Sequence, residues 1–117
     1  MSETITAGSP SFLASADAPI ETVAPGVTRQ ILVHDASMMM VRVVFEAGGI
    51  GTPHFHPHIQ SSFVARGSFD VTISGETRRL AAGDSFIVPT NAVHGVVALE
   101  DAELIDVFSP RRDEFLV

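Results

Sequence analysis

Residues Gly48 to Gly67 read GGIGTPHFHPHIQSSFVARG, and the reading of the whole chain turns on this stretch. It places His54, His56, His58 and Gln60 at every second position. Side chains on a β-strand alternate between faces with a period of two. A strand through this stretch would therefore aim all four one way. Three imidazoles and a carboxamide converging on one space point to a metal site. Alone, His54-x-His56 fits a metal pair and a pair of surface histidines equally well, so the surroundings must decide.

Those surroundings begin with composition. A chain of 117 residues is one domain, long enough for a core without covalent staples. It has no cysteine, which removes thiol nucleophiles, zinc knuckles and iron–sulfur clusters. It has no lysine either, which removes Schiff-base chemistry on a side chain. The formal net charge of −7 argues against nucleic acid or an anionic membrane surface as partner. The opening residues, MSETITAGSPSF, carry no basic region and no continuous apolar run. The longest apolar run, Met38 to Val41, is far too short to span a bilayer. The expectation is a cytoplasmic protein.

Residues 1–26 are rich in Ser, Thr, Ala and Pro and read as an N-terminal arm, either frayed or packed across a partner subunit. From 27 to 117 short runs of Val, Ile, Phe and Thr alternate with Gly, Pro, Asp and Asn. Expected strands are Thr28–Val33, Met39–Glu46, Gln60–Ala65, Ser68–Ser74, Thr77–Leu80, Ser85–Val88, Gly95–Leu99 and Leu104–Ser109. Phe69, Val71 and Ile73 alternate with polar neighbours, and Ser74-Gly75-Glu76 reads as a hairpin turn. No segment holds a helical apolar period. The fold class is all-β, a sandwich or barrel.

A second stretch matches the first in kind: Gly83-x5-Pro89-x-Asn91-x2-His94. Together the two resemble the paired motifs of the cupin superfamily, G-x5-H-x-H-x3-(E/Q)-x6-G and G-x5-P-x-G-x2-H-x3-N. The resemblance covers Gly48 to Ala98. It implies a double-stranded β-helix, or jelly-roll, barrel with one divalent metal ion inside. By position the ligands would be His54, His56, Gln60 and His94. Three departures are visible. Gln60 stands where glutamate is commonest, Asn91 replaces a glycine, and Ala98 replaces the terminal Asn. Asn visits left-handed backbone conformations and suits the second exchange. A glutamine leaves the metal's full charge in place, which favours Lewis-acid work on anionic substrates over redox cycling of iron. Zn, Ni, Mn or Fe would each suit these donors. His58 shares the strand parity, but Pro57 precedes it; its expected place is the barrel mouth, in hydrogen-bond reach of a substrate. His34 has no partner by spacing and reads as structural or surface.

Near the other end, Leu104-Ile105-Asp106-Val107-Phe108 is an apolar strand carrying one carboxylate. If Asp106 shares a face with Leu104 and Phe108, burial makes its ionised form costly and the group a useful proton shuttle. If Ile105 and Val107 are buried instead, Asp106 meets solvent. Arg111 and Arg112 follow Pro110, placed either to grip a carboxylate or to balance Asp113 and Glu114 in solvent.

With these residues the likeness narrows to KdgF-type cupins of uronate catabolism, which serve pectin and alginate degradation. It extends from Val27 to the C-terminus, and Asp106-x-Phe108-Ser-Pro-x-Arg112 is its most discriminating part. The resemblance implies an enzyme, a metal-dependent non-redox isomerase that converts 4,5-unsaturated monouronates into linear keto forms. Asp106, Phe108 and Arg112 would be its catalytic and substrate-contacting residues. One departure is Phe63, where a tyrosine is expected; it bears on substrate preference if that hydroxyl touches substrate. The implied partners are a small anionic sugar and a second copy in a homodimer. The rival readings are an oxygen-dependent dioxygenase, a lyase on a small anionic metabolite, and a non-enzymatic sugar- or metal-binding module.

Overall fold

The computed structural model describes residues 7–117, and among these ten strands pair into two antiparallel sheets. In chain order they are β1 (Glu21–Ala24), β2 (Val27–Asp35), β3 (Met38–Phe45), β4 (Ile50–His54), β5 (Ile59–Arg66), β6 (Ser68–Ile73), β7 (Glu76–Ala81), β8 (Ser85–Val88), β9 (His94–Ala98) and β10 (Ala102–Ser109). One sheet runs β1-β2-β3-β10-β5-β8 and the other β4-β9-β6-β7. Short 3-10 turns occur at Ser15–Asp17 and Asp113–Leu116. This is the expected all-β jelly-roll barrel.

Alternation explains how the sheets face each other. In β6, Phe69 and Val71 are buried and their polar neighbours are not. In β10, Ala102, Leu104, Asp106 and Phe108 are buried while the residues between them are half-exposed. The larger core cluster joins Val27 and Phe45 to Val64, Phe69, Val96 and Leu104, so both sheets feed it. Phe45 and Phe69 meet edge to face, with ring centroids 5.0 Å apart. Such a contact adds about 1 kcal/mol to what burial alone contributes.

The turns follow the local chemistry. Ser74 and Gly75, both at positive φ, close the β6–β7 hairpin as expected. Asn91 takes φ of 60°, the left-handed conformation that its side chain tolerates. Gly67 stands at φ +75°, and a Cβ there would lie 2.5 Å from the carbonyl oxygen of Asp101. Only glycine fits that junction between β5 and β6.

Two strands lacked a sequence signal. β1 has only four residues, on an edge, with three exposed. It lies within the 1–26 arm and pairs with β2 across Pro25-Gly26. The rest of the described arm also lies along its own barrel: Gln30 donates to the carbonyls of Ser15 and Ala18, and Ser9 N–H donates to His34 O. β4 contains Gly51 and Pro53, residue types that are depleted in strands and hide this one from pattern reading. It is an edge strand, where a residue without an N–H is tolerated. The Gly51 position also admits Val96, whose Cγ2 would lie 3.0 Å from an added Cβ.

Candidate active site

The expectation that His54, His56, His58 and Gln60 ride one strand is overturned. β4 ends at His54, residues 55–58 form a loop, and β5 begins at Ile59 in the other sheet. Pro57 supplies no N–H for a ladder, and the chain crosses between sheets there. His54 and Gln60 therefore come from opposite walls of the barrel, with His56 on the crossing. His94 opens β9 and lies directly across from His54 in the ladder, their ring centroids 4.4 Å apart.

His54, His56 and His94 each offer a nitrogen, and the three ligand atoms lie within 4.8 Å of one another. Their tautomers follow from proton counting. Nδ1 of His54 lies 2.9 Å from Thr52 O, that of His56 3.0 Å from His58 O, and that of His94 3.0 Å from Ala92 O. A carbonyl only accepts, so each Nδ1 carries the hydrogen and each neutral ring leaves a lone pair on Nε2. Backbone partners of this kind orient metal-binding imidazoles. Burial lowers the pKa of His56 and of His94, with the Arg112 charge adding to the effect on His56. Nε2 of His94 is buried and has no hydrogen-bond partner. An unsatisfied buried acceptor of this sort costs free energy unless a cation meets it.

Gln60 adds a second mark of the same kind. Its Oε1 lies 3.1 Å from Nε2 of His56. Its Nε2 donates to Ser62 Oγ at 3.0 Å, and Ser62 Oγ donates to Asp106 Oδ1 at 2.6 Å. Ser62 has one proton and gives it to Asp106, so it must accept from Gln60. The amide is thus oriented, with its oxygen toward the histidines. There two lone pairs face each other with no proton between them, an arrangement that a divalent cation resolves. The residues present fit a metal ion.

Asp106 is buried, on the same face as Leu104 and Phe108, which settles the two alternatives left by its strand pattern. Burial pushes its carboxyl up to about 6, against the lowering effects of the Ser62 hydrogen bond and the Arg112 charge. A cavity of about 400 Å³ is lined by His54, Gln60, His94, Asp106, Phe108 and Arg112, with Arg29 and Phe115 beside them. Phe108 packs edge-on to His56, centroids 5.7 Å apart.

The arginine doublet divides. Arg111 is buried, its Nε 2.7 Å from Asp113 Oδ1 and its Nη1 donating to Ala7 O, so it ties the C-terminal turn to the arm. Arg112 lines the cavity, pairs with Glu114, and lies over the Phe108 and Phe115 rings. His58 stands outside the three-histidine group and serves it through its carbonyl. His34 lies on β2, away from the cavity, and its carbonyl accepts from Ser9. Phe63 is 48% exposed on β5, with parity opposite to Gln60 and Ser62. It faces away from the cavity, so it does not stand in for a substrate-contacting tyrosine.

Three lining or linking residues escaped sequence reasoning: Ser62, Arg29 and Phe115. Ser62 shares the strand parity of Gln60, and Arg29 that of Val27 and Ile31. Those parities were the available signals.

Comparison with known proteins agrees with this fold. Residues 41–108 match the model of the cupin domain. Over 102 residues the chain is 47% identical to the pectin degradation protein KdgF of Dickeya dadantii (strain 3937), covering 86% of this chain and 93% of that protein. The structure of KdgF from Halomonas sp. superposes with a TM-score of 0.86 at 44% identity, covering 92% of this chain and 99% of that one. An RmlC-like cupin from Shewanella frigidimarina NCIMB 400 superposes with a TM-score of 0.89 at 39% identity, covering 92% and 97%.

Proposed function

The chain belongs to the cupin family, and from that membership and its likeness to KdgF we propose that it opens 4,5-unsaturated monouronates to their linear keto forms without redox change. The observation that carries this reading is the placement of Asp106. One buried carboxyl, pushed up to about 6, shares a cavity with Arg112 and with His54 and His94, two of the three converging histidines. A carboxyl held near neutrality can both take and return a proton.

The substrate is a cyclic enol ether bearing a carboxylate and a hemiacetal. Opening it removes the anomeric hydroxyl proton as the bond between the anomeric carbon and the ring oxygen breaks. A proton is then added at the enol carbon as the enol becomes a ketone. The sum is an isomerisation, with no electron donor or acceptor. Asp106 moves these protons. Its bond to Ser62 occupies Oδ1, which leaves Oδ2 for the substrate. Arg112 pairs with the carboxylate, using the guanidinium edge that Glu114 does not occupy. Phe108 walls the pocket and keeps water scarce. A divalent ion held by His54, His56 and His94 with Gln60 as fourth donor would supply Lewis-acid polarisation of a substrate oxygen. The net charge of −7 opposes an anion at long range, so attraction must be local. Screening over about 8 Å in physiological salt permits that.

The test is the loss of ultraviolet absorbance of unsaturated uronates prepared from pectin and from alginate, with oxygen uptake and metal content measured on the same preparation. Turnover without oxygen consumption supports the reading. Turnover that consumes oxygen would replace it with a dioxygenase, and saturable sugar binding without turnover would replace it with a binding module.

A further inference from the structure

Arg29 is a charged residue on a face where an apolar one would be expected. It sits in β2 between Val27 and Ile31, which share its parity. Its neighbour in the ladder is Val43, which also lines the cavity. The flanking pairs, Val27 with Phe45 and Ile31 with Val41, are apolar. Its side chain is only 21% exposed. A guanidinium directed inward from such a face loses hydration that one partner does not fully replace. Its partner is Glu21 of β1, 3.2 Å from Nε, and that carboxylate is 45% exposed. The contact occupies Nε, whereas a guanidinium offers five donors.

The position of Arg29 relative to Arg112 gives this charge a purpose. The Arg29 guanidinium lies 4.0 Å from the Phe115 ring centroid and that of Arg112 lies 4.4 Å from the same centroid. Both residues line the cavity that holds Asp106. Two like charges gathered on one ring repel each other unless an anion sits between or beside them. Each arginine is meanwhile partnered by a carboxylate from its own vicinity, Glu21 for Arg29 and Glu114 for Arg112. Each pair is the kind that an incoming carboxylate replaces without creating a new unpaired charge inside the barrel.

We propose that Arg29 is a second anion-gripping residue of the cavity, so that the carboxylate of a bound sugar acid is held jointly by Arg29 and Arg112. This rests on the reading of the pocket as a sugar-acid site but not on the ring-opening reaction. Glu21 is the placeholder that occupies Arg29 until the ligand arrives. Phe115 packs against both guanidiniums. The two inward cations also supply the local attraction that a chain of net charge −7 needs.

The test uses the full, metal-loaded chain and two variants that break the same ion pair from opposite sides, Arg29→Gln and Glu21→Gln. KM and kcat are measured with the unsaturated uronate, and Kd by calorimetry with glucuronate, which reports only the grip. Arg29→Gln should raise KM and Kd about tenfold or more, with kcat changed less than about threefold, as loss of a charge-assisted contact to a ligand predicts. Glu21→Gln should lower both constants, because it removes the carboxylate that competes with the ligand for the guanidinium; unchanged constants would overturn the placeholder role. If Arg29 merely braces β1 against β2, the two variants weaken binding alike, and that outcome overturns the proposal. Constants for Arg29→Gln within about twofold of the parent, or no glucuronate binding by the parent, overturn it as well. If Arg29→Lys, which keeps the charge but not the fork, binds no better than Arg29→Gln while both melt far below the parent, the residue is structural and the proposal falls. Absence of ring opening with glucuronate binding that depends on Arg29 would remove the proposed reaction and leave this inference standing.

Discussion

Ser62 donates its one hydroxyl proton to Asp106, Oγ to Oδ1 at 2.6 Å, across the pairing of β5 with β10. The same oxygen accepts from Gln60 at 3.0 Å. One small side chain thus orients an amide toward the histidines and steadies a carboxyl on the other side of it. The candidate ligands and the candidate proton carrier are one hydrogen-bonded system.

Ser62→Ala should therefore act at both ends. Gln60 loses the acceptor that fixes its rotation, and metal affinity should fall by about tenfold, the lower end for lost ligand-orienting partners. Asp106 loses a hydrogen bond that favours its charged form, so the acid limb of the pH–rate profile should move to higher pH. Chelator competition and the pH profile check the two effects. A variant unchanged in both would show that the relay is incidental.

Asp106→Asn should keep the fold and the metal while lowering kcat by about 100-fold or more, the usual range for a lost acid–base group. In the parent, Asp106 must be ionised to accept the anomeric proton, so kcat/KM should fall as pH drops below about 6. Ultraviolet turnover with metal analysis decides the matter, and near-normal turnover by the variant would remove Asp106 from its role.

The same carboxyl should cost stability. Its folded pKa of about 6 lies above the ordinary 3.8, so the native chain holds this proton more tightly than the unfolded one. Stability from this group is fully present below the ordinary value, declines as pH rises through the window up to about 6, and is flat above it. The gap between 3.8 and about 6 corresponds to about 3 kcal/mol for this fully buried group. In chelator-treated protein, Asp106→Asn should thus gain on the parent by roughly that amount at pH 8 relative to pH 4. Parallel stability curves from denaturant titrations at several pH values would contradict it.

His54→Ala or His94→Ala should lower metal occupancy sharply, since each removes one of three converging nitrogens. His58→Ala should lower it little, because that residue contributes its backbone carbonyl to His56. Elemental analysis of purified variants gives the answer; unchanged occupancy in the first two would refute the ligand set.

The homodimer expected from the resemblance has a surface to test. Phe63 and Ile87 are 48% and 62% exposed, and with Ile105 and Val107 they line a shallow depression on the outer face of the six-stranded sheet. If a second copy covers this face, Phe63→Asp should shift the chain to monomer in sedimentation experiments. A parent that sediments as monomer would refute the dimer.

Alternation within short runs was enough to read eight of the ten strands, and glycines at turns were enough to read where several of them bend. The spacing of His54, His56, Gln60 and His94 was legible because it is local to two stretches. What lay between those stretches was not. His54 and His94 meet only because β4 pairs with β9, and Ser62 meets Asp106 from 44 positions away. Period two states that a strand has two faces, and a strand with apolar residues on both does not say which is inside. For β10 that choice decided whether Asp106 is a buried proton carrier or a surface charge, and packing between β3 and β5 made it. The same choice turned Arg29 inward and sent Phe63 out. The sequence by itself determined which side chains were available and on which alternating sets they lay. Only the closure of the two sheets decided which sets face each other, because that depends on burying the most apolar area across the whole barrel at once.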